Sequence, residues 1–157
     1  MSFVRTLSLA ALFSAGAALA LGQTGMVCSN ATLHGRYAFT VTGQILTPVP
    51  AAGFVSGVTM TNFDGMGNMT QVDHVLHNGI PPIEEWRPGS GPYHVNPDCT
   101  GYMVIYAHPT NPADASPPLR VEFVVSDSGK QIRNVVSGSP ANSAFTAAIT
   151  STATRVQ

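Results

Sequence analysis

Residues 54–79 read FVSGVTMTNFDGMGNMTQVDHVLHNG, and this stretch decides the fold class. Phe54 to Phe63 is a strand-like run that ends at Asp64-Gly65-Met66-Gly67-Asn68, whose glycines permit the positive φ values of a hairpin turn. The chain then alternates again. Thr70, Val72, His74 and Leu76 fall on one face of a strand, and Met69, Gln71, Asp73, Val75 and His77 on the other. Asn78-Gly79 closes the stretch with another strong hairpin signal. Short alternating runs joined by tight turns specify antiparallel strands.

The same grammar extends in both directions. Upstream, Tyr37, Phe39 and Val41 alternate with Ala38, Thr40 and Thr42. Downstream, Ile83 to Trp86 and Tyr93 to Val95 are short runs on either side of Pro88-Gly89-Ser90-Gly91, which reads as a turn. Asn96-Pro97-Asp98-Cys99-Thr100-Gly101 turns the chain into a run from Tyr102 to Ala107, and residues 108–118, with four prolines, form the long loop. Leu119, Val121, Phe123 and Val125 then alternate with Arg120, Glu122 and Val124. Ser126-Asp127-Ser128-Gly129 leads into Gln131 to Val136, and a last run spans Ala144 to Thr154. No 3.6-residue apolar period is sustained beyond the N-terminal segment.

Eight or nine such runs predict an all-β fold, an up-and-down antiparallel β-barrel of about eight strands. Closure removes the exposed edges that an open sheet of this length carries. Phe145 and Ile149 give the last run an apolar face with which to meet the first strand. A two-sheet sandwich is the alternative architecture.

The N-terminal segment points to export. Arg5 precedes an apolar run from Leu7 to Leu19, and Ala18-Leu19-Ala20 offers the small residues that a signal peptidase accepts. Residues 1–20 are therefore expected to be a signal peptide and residues 21–157 a single secreted, extracellular β-barrel domain. The run is too short and too rich in alanine for stable membrane insertion. Cys28 and Cys99 are the only cysteines. In an oxidising compartment they are expected to form one disulfide from the start of this domain to its middle.

Without residues 1–20 the chain carries six Lys and Arg against eight Asp and Glu. No basic cluster exists, which argues against a nucleic-acid partner. Charged residues make up only 10% of the chain, so any acid–base site must be sparse.

Among the five histidines, His74 and His77 are three apart, which places them on opposite faces of a strand. His34 and His94 neighbour turns and His108 opens the long loop, so no metal site is expected. His74 shares its face with Thr70, Val72 and Leu76. If that face lines the barrel, its imidazole is a general acid or base; otherwise it is a core histidine bonded to a threonine or the backbone. In Glu84-Glu85-Trp86-Arg87 only one glutamate of a strand can face inward. Glu84 is then a second candidate base, paired with Arg87 or Arg120, the alternative being a solvated hairpin edge.

Tyr37, Phe39, Trp86, Tyr93, Tyr106 and Phe123 are candidate walls of a ligand cavity, and ordinary packing is the competing reading. No Gly-x-Ser-x-Gly nucleophile elbow or phosphate-cradling loop occurs. Asn30-Ala31-Thr32 and Asn68-Met69-Thr70 make Asn30 and Asn68 candidate glycosylation sites.

Three segments carry a resemblance: Cys28-Ser29-Asn30-Ala31-Thr32-Leu33-His34-Gly35-Arg36-Tyr37-Ala38-Phe39, Phe63-Asp64-Gly65-Met66-Gly67-Asn68, and Gly91-Pro92-Tyr93-His94-Val95-Asn96-Pro97-Asp98-Cys99-Thr100-Gly101. Together they resemble a group of small secreted microbial proteins of uncharacterised function. More distantly, and mainly in architecture, the chain resembles allene oxide cyclase-like and dirigent-like β-barrels. That resemblance implies a cavity which holds an apolar reactive intermediate, steers its cyclisation or coupling, and needs no cofactor. Two functions are thus expected to compete. One is a secreted barrel that binds a small apolar molecule and acts as a cofactor-free cyclase or isomerase, with His74 or Glu84 assisting. The other is a non-catalytic binding or interaction protein, an effector or surface protein with a filled interior. Whether it forms a homo-oligomer is left open.

Overall fold

A computed structural model describes residues 27–48 and 51–156; the expected signal peptide lies outside the described residues. Eight strands form one closed antiparallel barrel in sequential order. They are β1 (His34–Thr47), β2 (Gly53–Asp64), β3 (Asn68–His77), β4 (Arg87–Val95), β5 (Thr100–Ala107), β6 (Leu119–Ser126), β7 (Gln131–Gly138) and β8 (Thr146–Arg155). Closure is made by β1 against β8, whose register runs from Tyr37 opposite Arg155 to Thr47 opposite Thr146. The barrel expectation holds, and the sandwich falls.

The two ends of the barrel differ because the loops differ. At one end the connections are short: 65–67, 96–99 and 127–130. Asp64 organises the first of them by accepting hydrogen bonds from the backbone N–H groups of Met66, Gly67 and Asn68 and from the Asn68 side chain. Those donors, Asn68 foremost, lower its pKa from 3.8 to about 2. At the other end the connections 78–86, 108–118 and 139–145 are long, and they surround a mouth.

The short-loop end is sealed. Residues 27–33 cross it, and Leu33 is fully buried there with Tyr37, Phe63 and Tyr93. Phe63 stacks edge-on against both tyrosines, at 5.3 Å from Tyr37 and 4.9 Å from Tyr93. The phenol groups do not go unpaired: Tyr93 Oη donates to the carbonyls of Asn30 and Leu33, and Tyr37 Oη to that of Gly129. Burial pushes both phenols above their ordinary pKa. Each apolar side chain fully buried here contributes about 1.5–3 kcal/mol. The Cys28–Cys99 disulfide fastens the crossing segment to the 96–99 turn, with Cα atoms 5.0 Å apart, and Cys28 N–H donates to the Pro97 carbonyl beside it.

One part of the strand reading needs correction. Ile83 to Trp86 is not a strand but part of the β3–β4 loop, whereas Pro88-Gly89-Ser90-Gly91, read as a turn, lies inside β4. The glycines serve close approach rather than reversal. A Cβ at position 91 would run into the Val104 carbonyl of β5, so only glycine lets the two strands meet. Gly101 does the same for the Phe123 ring, which would lie 2.6 Å from a Cβ.

The disulfide closes a long loop, so its removal should be costly. The C28S/C99S variant is expected to lose about 2–4 kcal/mol of stability, read as a lowered midpoint in urea unfolding. An unchanged midpoint would show that packing and hydrogen bonds hold the crossing segment without the bridge.

Candidate functional site

The interior above the aromatic seal is a cavity of about 640 Å³ that opens between the long loops. Its size is that of a site for a drug-sized molecule. Alternation along the strands determines what faces it. From β3 the inward side chains are Gln71, Asp73, Val75 and His77. Phe39, Val41 and Ile45 face it from β1, Met103 and Ile105 from β5, and Ile149 from β8. Most of the wall is therefore apolar.

One wall is polar, and it lies where β2, β3 and β4 meet. Thr61 pairs with Gln71, Thr59 with Asp73, and Asp73 with Arg87 across these strands. Arg87 holds Asp73 through Nε at 2.8 Å and Nη2 at 2.7 Å, both on Oδ1. Both side chains are largely buried. Gln71 Nε2 donates to Asp73 Oδ2 at 3.4 Å, and Thr61 Oγ1 donates to Gln71 Oε1 at 3.5 Å. Gly89 makes room for this row, since a Cβ there would lie 3.2 Å from Gln71 Cγ. On the opposite wall Ser151 Oγ donates to Asn134 Oδ1 at 2.6 Å.

Two of the long loops are clasped together over part of the mouth. Asp114, in the 108–118 loop, accepts the backbone N–H groups of Ile83 at 3.1 Å and Glu84 at 2.8 Å. Glu84 returns the contact: its Oε2 accepts the N–H of Thr110 at 2.8 Å. Arg87 Nη1 lies 3.4 Å from the Asp114 carbonyl, which ties the clasp to the polar wall. The Glu84 N–H, the Ile83 N–H and the nearby Arg87 charge hold the Asp114 carboxyl below the usual carboxylate range despite burial. Pro81, Pro82 and Pro117 of these loops complete the upper wall.

The residues singled out from the sequence are distributed differently from expectation. His74 lies on the outer face of β3, since the inward face carries Gln71, Asp73, Val75 and His77. Its Nδ1 is 2.5 Å from the Glu85 carbonyl, and its ring packs 5.8 Å from Trp86. Glu84 sits in the loop clasp rather than on a strand, and neither Arg87 nor Arg120 pairs with it: Arg87 pairs with Asp73 and Arg120 with Glu122.

Of the six aromatic candidates only Phe39 lines the cavity. Tyr37 and Tyr93 belong to the seal, and Phe123 is buried against Gly101. Trp86 and Tyr106 are 46% and 44% exposed, outside the barrel. Asn30 Oδ1 accepts the Val95 N–H, while Asn68 is exposed and donates from Nδ2 to Asp64. Among the described residues no three His, Cys, Asp or Glu side chains gather closely enough to hold a metal ion.

Sequence reasoning passed over Asp73, Gln71, Thr61 and Asp114. A signal was present, because Gln71 and Asp73 share a strand face with Met69 and Val75. Polar side chains spaced two apart on an otherwise apolar face mark a wall that must accommodate polarity.

Comparison with protein-family models, curated proteins and solved structures finds no match for this chain. The geometry alone therefore carries the functional argument.

Two outcomes check this site. Removing one partner of the buried pair strands the other charge, so Asp73→Ala should cost about 3–5 kcal/mol in urea unfolding, and D73L/R87M markedly less. Equal losses would mean that the pair is solvated. For the clasp, the lowered Asp114 pKa means that its contribution is complete above the ordinary carboxylate pKa and is lost as the pH falls through the folded value. Protection of the Ile83 and Glu84 amides, taken as the exchange rate relative to the intrinsic rate at the same pH, should fall in Asp114→Ala at neutral pH, and in the wild type only on acidification. Unaltered protection of both amides in the variant would refute the clasp.

Proposed function

We propose that this protein is a secreted carrier or receptor that encloses a small apolar molecule inside its barrel. The observation that carries the proposal is the 640 Å³ cavity, sealed at one end by side chains and open at the other between loops. A protein that used only its outer surface would gain by filling that interior, since voids forfeit packing energy. Secretion is supported by the Cys28–Cys99 bridge, which suits an oxidising compartment, and by the leader-like character of residues 1–20.

The finer reading, a cofactor-free cyclase or isomerase, draws its support from the same cavity, which can hold a flexible molecule in one reactive conformation. His74 is outside the cavity and Glu84 is engaged by Thr110, so neither supports an acid–base role within it. The reading therefore rests at binding, and the resemblance to allene oxide cyclase-like and dirigent-like barrels supports the ligand class rather than a reaction.

The neutral fluorophore N-phenyl-1-naphthylamine should bind the wild type saturably with enhanced emission. Ile105→Trp and Leu119→Trp, each placing a large ring in the cavity, should weaken binding by about tenfold or more while the far-ultraviolet circular dichroism is retained. Absence of saturable binding to the wild type, or equal binding to folded Trp variants, would overturn the proposal.

A further inference from the structure

We infer that Asp73, with Gln71 and Thr61 beside it, is a head-group site selecting an apolar molecule that carries an uncharged hydroxyl group; this rests on the cavity being a ligand site. The first support is unused hydrogen-bonding capacity. Both short contacts from Arg87 fall on Asp73 Oδ1, so Oδ2 receives only the Gln71 amide at 3.4 Å. Gln71 Oε1 in turn receives only the Thr61 hydroxyl, at 3.5 Å. Protein hydrogen bonds of these types are normally about 2.7–3.2 Å long, so both contacts are weak. All three residues are at least nine-tenths buried, and all three line the cavity. Weakly satisfied buried acceptors are costly, and a hydroxyl donor from a ligand would relieve that cost.

Charge decides which polar head fits. Asp73 is neutralised by Arg87, and Asp114 is committed to the Ile83 and Glu84 amides. Among the described residues the cavity therefore faces its ligand with one guanidinium and two carboxylates, and the guanidinium is already paired with Asp73, which disfavours a carboxylate or phosphate head. An ammonium head would also bring a donor to Oδ2, but it would shed the hydration of a full charge beside a carboxylate that Arg87 already neutralises and close to the Arg87 guanidinium itself, so it gains less than a neutral hydroxyl does. His77, also on the cavity wall, turns its Nε2 to the Ala51 carbonyl at 3.0 Å. A hydroxyl needs no counter-charge and brings the donor that Oδ2 lacks. A carbonyl or ether brings only a further acceptor. Opposite, the Asn134–Ser151 pair is internally bonded, so the polar end of the ligand belongs on the β2–β3–β4 side and its apolar body against Val41, Ile105 and Ile149.

The test is displacement of N-phenyl-1-naphthylamine at neutral pH by four chain-matched competitors: dodecan-1-ol, the isosteric ether 1-methoxyundecane, dodecanoate and dodecylammonium. Dodecan-1-ol should bind at least about tenfold more tightly than the ether, the size expected for a hydrogen bond to a charged group, and more tightly than either ion. In D73L/R87M the alcohol and ether should become equal, each competitor being measured against that variant's own fluorophore affinity. Equal displacement by alcohol and ether in the wild type, tighter binding of either ion, or an alcohol preference that survives in folded D73L/R87M would overturn the inference. Should that variant not fold, the wild-type series decides by itself. Failure of the fluorophore to bind the wild type would instead remove the ligand site altogether, which keeps the two conclusions separate.

Discussion

Closure of β1 on β8 is the constraint on which the rest of this structure depends. Once that ladder forms, no strand has a free edge, and every second side chain of eight strands is committed to one shared interior. An eight-stranded barrel has an interior that side chains can fill or that can be left open as one small cavity. This chain resolves the matter by treating the two ends differently. Large rings and Leu33 fill the short-loop end, while the side chains at the other end line a cavity without filling it.

The seal is held by packing, hydrogen bonds and one covalent bond. Tyr37, Phe63 and Tyr93 pack edge to face, and the crossing segment that covers them is tied down by Cys28, by the Tyr93 hydroxyl and by the Asn30 side chain. The upper barrel, by contrast, holds buried polar groups. Asp73 and Arg87 are the clearest case. A buried ion pair adds little net stability against apolar residues of the same shape, so its presence is better explained by what it offers to the cavity.

How much could be read from the sequence varied from one element to another. The turns at Asp64–Asn68, Asn96–Gly101 and Ser126–Gly129 announced themselves, because glycine, asparagine and aspartate are selected there by backbone geometry. β4 did not, because its prolines and glycines are turn residues by type; they are strand residues here because β5 approaches too closely for side chains. The faces of β3 were separated correctly, yet the more apolar one, bearing His74, looked like the interior. It is the outside: Val58 and Val72 are exposed on this part of the barrel, while Gln71 and Asp73 turn inward. Hydrophobicity identifies a core by what packs well, and a barrel with an open cavity breaks that rule where its wall carries polar groups.

The sequence by itself determined the all-β class, the number of strands to within one, the up-and-down order and the cysteine pair, because alternation, turn chemistry and a lone pair of thiols are local or compositional facts. The tertiary structure decided which face of each strand points inward, that Arg87 meets Asp73 rather than a glutamate beside it, and that Glu84 and Asp114 clasp two loops. Those outcomes depend on register between strands and on loops distant in sequence. A one-residue change of register exchanges the two faces of a strand, and no local pattern contains that information.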